Sequence, residues 1–252
     1  MTLREALGLK RREMISLIGD GGKTTTLYRL AHELWEEGGK ILVTTTTKIF
    51  KPAKPHVQKL YLVQNPDALL NELAGLKEPW IVAAGYGLDD TGKVTGLPPD
   101  WLNMLGRREE IDWILIEADG AAMRPFKVPE DHEPVVPDEC ALTVWVLGMK
   151  VLGRPLTTEW VHRAERAAVL LGVEVGIPVT ADHIVQIARD PRGCLKGIPP
   201  KSRKIALLNQ ADSAEEVKKA ADLARALLEQ DIERVVITSY LSDDVVKDVM
   251  TK

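Results

Sequence analysis

At 252 residues, with 28% charged residues, a formal net charge of −4 and a pI near 5.8, the chain can bury a sizeable core beneath an ordinary polar surface. That balance argues against a broadly basic nucleic-acid-binding face, and no stretch approaches the ~18 apolar residues of a membrane span. Two distant cysteines, Cys140 and Cys194, with no CxxC or zinc spacing, fit a reducing, cytoplasmic setting. Both read more simply as a small apolar residue and a loop thiol than as redox groups. The first residues, MTLREALGLKRR, lack the apolar centre of a signal peptide.

The first chemical signal is EMISLIGDGGKTTTLY over 13–28. A short apolar run ends at Gly19; Asp20, Gly21 and Gly22 follow, then Lys23, Thr24 and Thr25, and from Leu27 the apolar spacing becomes helical through Leu30, Ala31 and Leu34. Strand, glycine turn, Lys-Thr and helix is the layout of a phosphate-binding loop. Its glycines let the backbone wrap an anion, and the helix start points N–H groups at it. Lys23 is expected to neutralise outer phosphate oxygens and the Thr24 hydroxyl to ligate Mg2+. The common pattern GxxxxGK[ST] needs glycine where Leu17 stands. The shorter G-D-G-G-K-T-T resembles the loop of Mur ligases and folylpolyglutamate synthetases as well as that of P-loop NTPases. The plain alternative, a glycine turn beside a solvated lysine, leaves the agreement in order unexplained.

KILVTTTT at 40–47 predicts a second strand, followed by the basic, proline-broken KIFKPAKP. In open α/β sheets ligands bind at the carboxyl edge, so Thr46, Thr47 and Lys48 are candidates for reaching a terminal phosphate or acceptor, as readily as plain strand residues. Strands at 59–63 and 80–84 flank a helix at 66–75; GYGLDDTGKVTGLPPD reads as a glycine-rich hairpin or excursion, and PDWLNMLGRREE as a short helix.

IDWILIEADG at 111–120 ends an apolar strand in Glu117 and Asp119, as a Walker B site requires. Asp119 is expected on the metal side, with Glu117 as its partner or the water-orienting base; a merely acidic turn is the alternative. The proline-rich segment that follows, through DHEPVVP, sits where lids often lie, with Arg124, Lys127 and His132 as candidate contacts. ALTVWVLGMKVLG predicts a buried strand, TTEWVHRAERAAVLLG a helix and TADHIVQIARDPRG another, so that 150–200 forms a small helical subregion. RKIALLNQAD then ends a strand at Asn209 and Asp212, Ser213 and Glu216 make a capping box, and a final strand ends at Thr238 and Ser239. This order resembles the base-reading end of GTPases, NKxD followed by a serine-bearing turn, with Gln210 in place of the stacking lysine. Turn and cap formation alone is the competing account of Asn209 and Asp212.

Taken in order, GDGGKTTT, VTTTTKIFKP, IEADGA, KVPEDHEPVVP, LGRPL, VHR and LLNQAD resemble the YqeC family, accessory proteins of selenium-dependent molybdenum hydroxylases. The resemblance spans nearly the whole chain. It implies a P-loop NTP-binding protein placed in selenium-cofactor or hydroxylase maturation, whose partners are a nucleotide and a hydroxylase apoprotein or cofactor intermediate. The fold expected is a three-layer α/β P-loop domain with a mostly parallel sheet over 1–252. The activity expected is a Mg2+-dependent NTPase, with GTP favoured over ATP by a small margin. An ATP-dependent ligase or kinase and a non-catalytic nucleotide-sensing scaffold are the alternatives.

Overall fold

The apolar runs and helical spacings assemble, in the computed structural model, into a nine-stranded sheet with helices on both faces. The structure describes residues 1–76, 79–120 and 122–252. The sheet strands are β1 (Glu13–Gly19), β2 (Lys40–Thr45), β3 (Lys59–Leu62), β4 (Trp80–Gly85), β5 (Trp113–Glu117), β6 (Leu142–Gly148), β7 (Arg203–Asn209), β8 (Arg234–Thr238) and β9 (Val246–Thr251). The helices are α1 (Leu3–Leu7), α2 (Lys23–Glu36), α3 (Pro66–Ala74), α4 (Pro99–Leu105), α5 (Ala164–Leu171), α6 (Ala181–Arg189) and α7 (Ala214–Leu228). The spatial order is β9-β8-β7-β6-β1-β5-β2-β4-β3, and all neighbours run parallel except β8 and β9.

A parallel sheet covered on both faces needs apolar residues on both, which is why β1, β5 and β6 are buried along their whole length. Side chains alternate between two clusters. Ile15, Leu17, Leu115, Val144 and Val146 pack with Leu27, Leu30 and Leu34 of α2, whereas Ile18, Ile114, Ile116, Trp145 and Leu147 share the opposite layer with α3 to α7. Leu27, Leu30, Ala31 and Leu34 form a single buried stripe, so α2 is pinned to the sheet directly behind the strand that feeds it.

Two local expectations change, and one element is added. The helix expected over 157–172 begins only at Ala164, because Val161–His162 instead pairs in parallel with Phe126–Lys127, and Arg163 adopts a left-handed backbone with φ 68°. β9 follows the strand expected to be last and closes the edge in the antiparallel sense. A short N-terminal helix, α1, is set by the capping box of Thr2 and Glu5 and buries Leu3 and Leu7 against α2. The glycine-rich hairpin forms as read, Gly87–Leu88 against Val94–Thr95, with Lys48–Ile49 added as a third strand. In the 150–200 segment α5 packs on α6 and α6 on α7, and their apolar residues join the same layer as Ile114 and Trp145.

Leu30 is fully buried at the α2–sheet contact. Leu30→Ala should cost about 2–5 kcal/mol, through lost burial and the cavity left behind. Urea unfolding with an unchanged midpoint would show that α2 does not draw its stability from this stripe.

Candidate functional site

Because the strands run parallel, their carboxyl ends meet at one edge. In β1 and β5 the register pairs Leu17 with Glu117, in β2 and β5 Thr45 with Glu117, in β1 and β6 Gly19 with Val146, and in β6 and β7 Gly148 with Asn209. The glycine loop from Gly19 leaves β1 at the centre of this edge and turns straight into α2. Gly21 has φ 86°, and a Cβ there would lie 2.3 Å from the Gly148 nitrogen. Gly22 has φ 133°, and a Cβ there would lie 2.4 Å from Asn209 Nδ2. Both positions therefore need glycine. Helices α1, α3, α6 and α7 start on side-chain caps, whereas α2 starts at Gly22 without one and has no acidic residue in its first turn. Its first N–H groups stay free for an external acceptor.

Lys23 is buried and points back across the loop. It donates to the Gly19 carbonyl, its Nζ stands 2.9 Å from Asp119 Oδ1, and Glu117 Oε1 lies 4.0 Å away. Burial alone would push this ammonium down; Asp119 and Glu117 outweigh it and hold Lys23 above its ordinary range. Asp119, 2% exposed, also accepts from the Gly19 N–H at 2.8 Å. The Thr24 hydroxyl donates to Glu117 Oε2 at 3.0 Å. Burial pushes the Glu117 carboxyl up against the pull of Lys23 and Thr24. Glu117 stands beside Thr24, whereas Asp119 meets Lys23 on Oδ1 and, on Oδ2, the Gly19 N–H and Lys127 at 3.1 Å.

Asp20 faces inward. Its Oδ1 accepts from the Gly21 N–H at 2.9 Å, and its Oδ2 accepts from the N–H groups of Ala122 and Arg124, each at 3.1 Å, so it ties the loop to the segment after β5. Ala121, within that segment, lies outside the described residues. Lys127 is buried to 1% exposure, donates to the Gly120 carbonyl and pairs with Glu133 at 3.0 Å; Arg163 closes on Glu133 at 2.8 Å. Phe126, Lys127, Val128 and Glu133 are thus part of the core and not a surface flap. Arg124 lines the cleft above the loop and donates from Nε to the Thr158 carbonyl, whereas His132 is exposed and lies outside that lining. The Thr46 hydroxyl bonds the Val135 carbonyl, Thr47 N–H the Thr45 hydroxyl, and exposed Lys48 pairs with Asp89 at 3.1 Å. These three secure the loop after β2 and do not line the cleft.

The cleft has a volume of about 700 Å³, with Asp20 to Thr25 as its floor and Phe50, Arg124, Trp160, Lys150 and Gln210 among its walls. Outside the cleft lining, Asn209 Nδ2 donates to the Gly21 carbonyl at 2.8 Å, and Thr238 donates to Asn209 Oδ1 at 3.1 Å. Asp212 accepts from the Ser239 hydroxyl at 2.7 Å and pairs with Lys150 at 2.8 Å. Burial pushes the Asp212 carboxyl up, but Lys150 and Ser239 outweigh it and hold it low. Ser239 was legible as the residue after the strand. Glu133 and Arg163 stand in the DHEPVVP and VHR segments without being marked there as site residues, Lys150 stands in none, and only the tertiary structure brings the three in. Both cysteines are buried, and burial pushes their thiols up, which suits packing residues. Among the described residues no helix is long and apolar enough to cross a membrane.

Burial pushes Glu133 up, but Lys127 and Arg163 outweigh it and hold the carboxyl at about 2. A carboxylate depressed in the folded state contributes stability above its unfolded value of about 4.3, and loses it as pH falls toward the folded value. Glu133→Gln should therefore be less stable than the parent near pH 7, with the difference shrinking between about pH 5 and pH 2. Denaturant unfolding across that range measures it; a difference independent of pH would remove Glu133 as a source of acid sensitivity.

Comparison with known proteins adds kinship. The family profile described as YqeC protein matches residues 15–165, which takes in the Gly19–Thr25 loop, the Glu117–Asp119 strand end and the Lys127–Glu133–Arg163 cluster. An Escherichia coli (strain K12) protein described as "Uncharacterized protein YqeC" is 33% identical over 226 residues, covering 90% of this chain and 87% of that one. No solved structure matches. By both measures the chain belongs to the YqeC family.

Proposed function

We propose that the chain binds a nucleoside triphosphate with Mg2+ at the Gly19–Thr25 loop and hydrolyses it, GTP ahead of ATP by a small margin, in the service of maturing a selenium- or molybdenum-cofactor-dependent hydroxylase. The observation that carries this reading is the meeting of Lys23, Thr24 and Glu117 where β1, β5 and α2 converge. The Thr24 hydroxyl and Glu117 carboxylate are hard oxygen donors 3.0 Å apart, which fits magnesium's habit of taking few protein ligands beside phosphate and water. Among the described residues no group of three His, Cys, Asp or Glu side chains competes as a metal cage. Bound there, magnesium would neutralise charge on the phosphate oxygens.

The chain's own residues supply the rest. Lys23 exchanges the Gly19 carbonyl and Asp119 for outer phosphate oxygens, and the uncapped start of α2 donates backbone N–H groups. In hydrolysis a water oxygen bonds the outer phosphorus as the bond to the bridging oxygen breaks, and the water proton leaves with phosphate or solvent. Asn209 and Thr238 brace the loop, and Ser239 orients Asp212, an arrangement suited to accepting from two guanine nitrogens, where adenine presents the wrong edge. Family membership, with the TTTTK and DHEPVVP resemblance, supports the maturation setting. A second reading, an ATP-dependent ligase or kinase, is favoured by the loop's shortness, since only Asp20 and Gly21 separate Gly19 from Gly22. Phosphate release that appears only with an acceptor present would select it.

Lys23→Ala removes charge-assisted contacts worth about 2–3 kcal/mol, so nucleotide affinity should fall at least tens-fold with the fold intact. Glu117→Gln should depress turnover far more than binding, because the charge it supplies acts on the transition state. Calorimetry and phosphate release on both variants decide; unchanged affinity in folded Lys23→Ala would sink the phosphate-site reading. For the base, Asp212→Asn should shift preference from GTP toward xanthosine triphosphate in competition binding. Tighter ATP binding that ignores the substitution would leave Asp212 as a turn residue before α7.

A further inference from the structure

Asp119 holds a cation on each oxygen, Lys23 Nζ at 2.9 Å from Oδ1 and Lys127 Nζ at 3.1 Å from Oδ2. Two lysines on one buried carboxylate is more than neutrality requires. The surplus acquires a purpose if the nucleotide reading holds. A phosphate-loop lysine must give up its protein partners when phosphate arrives, and the partners of Lys23 are the Gly19 carbonyl and Asp119. Were Lys23 the sole counter-ion, its departure would strand a charge in a site without water to solvate it, at a cost that would oppose binding.

We propose that Lys127 is a positioning residue that keeps Asp119 neutralised while Lys23 exchanges between Asp119 and the phosphates. The charges alternate outward from the loop as Lys23, Asp119, Lys127, Glu133 and Arg163. With Lys23 withdrawn, the buried carboxylates Asp119 and Glu133 face Lys127 and Arg163 and are balanced, while Glu130, which meets Arg163 Nε at 2.9 Å and also Arg166, is open to solvent. With Lys127 also missing, one buried negative charge is left over. The other charged groups around Lys23 do not alter this. Glu117 lies at 4.0 Å and is bonded by Thr24, and Asp20 is satisfied by three backbone N–H groups.

Lys127 is also built to stay where it is. Its backbone pairs with Val161–His162, the Val128 N–H donates to the His162 carbonyl at 3.2 Å, and Arg163 bonds both the Val128 carbonyl and Glu133. The left-handed turn at Arg163 breaks the path of the preceding chain and delivers its guanidinium to this cluster. Lys23, by contrast, sits on the first turn of α2 at the cleft floor. One lysine is fixed by the fold and the other is free to change partners.

The test uses the full chain, with inorganic tripolyphosphate plus magnesium as a base-independent probe and GTP and ATP alongside. Lys127→Met, checked for folding by circular dichroism and thermal unfolding, should bind tripolyphosphate at least about tenfold more weakly, since binding now strands Asp119. Adding Asp119→Asn to Lys127→Met should recover most of that loss, because no carboxylate is left to neutralise and the amide oxygen can still accept from Gly19. A residue needed only for structure would leave the double variant as weak as Lys127→Met or weaker, which would overturn the proposal, as would Lys127→Met binding like the parent. Asp119→Asn alone keeps the proposal open to refutation if Lys127→Met fails to fold. It should bind tripolyphosphate at least as tightly as the parent, and weaker binding would overturn the exchange. A parent that binds neither tripolyphosphate nor either nucleotide overturns the nucleotide reading itself, and the exchange with it.

Discussion

A carboxylate buried at the end of a strand has to be neutralised, and the way Asp119 meets that demand organises the site. It accepts from the Gly19 N–H, which fixes the carboxyl end of β1 against the segment leaving β5, and it holds Lys23 and Lys127 on its two oxygens. Through Lys23 it reaches the Gly19 carbonyl and ties down the glycine loop. Through Lys127 it recruits Glu133 and Arg163 and so draws in a chain segment and a helix start that share no sheet hydrogen bond with β1. Low dielectric makes each contact strong and each missing partner costly. The geometry of the loop is therefore as firm as the ion-pair cluster behind it.

A second brace works from the other side. Asn209 at the end of β7 holds the Gly21 carbonyl, Thr238 at the end of β8 holds Asn209, and Ser239 holds Asp212. The Gly19–Thr25 loop is thus clamped between the carboxylates on one flank and the Asn209 network on the other, while α2 is fixed from behind by its apolar stripe. Backbone anchored this tightly keeps its N–H donors oriented. At the cleft mouth Phe50 and Met123 are well exposed although large and apolar.

The Lys150–Asp212 pair bears on the absent stacking lysine. Gln210 adopts φ 64° and turns its amide toward Gly148, leaving the cationic position near Asp212 to Lys150 from the end of β6. Lys150, in the short 3-10 turn Met149–Val151 that follows β6, thus puts a positive charge beside Asp212. This is possible because β6 and β7 are neighbours whose ends coincide at Gly148 and Asn209.

Much of this was written locally. Strand β1, the glycine turn and the stripe of α2 follow from residue order over 13–34. The ends of β5 and β7 are marked by Glu117, Asp119 and Asn209, and the start of α7 by its capping box, because each rests on spacings of a few residues and on backbone preferences that act at short range. Once parallel strands are accepted, their shared edge brings those marks together. The assignment of partners was not written there. Which carboxylate stands beside Thr24 depends on how the chain leaves β5, and Asp119 lies just beyond the last strand residue, where alternation no longer dictates direction. The helical spacing around Arg163 was real, yet it was overridden by pairing of Val161–His162 with residues some 35 positions earlier. Of the lid candidates, Lys127 is buried for the same reason, while Arg124 lines the cleft and His132 is exposed: Lys127 neutralises Asp119 and Glu133, and buried charges choose partners by proximity in space, which the sequence does not encode at any fixed interval.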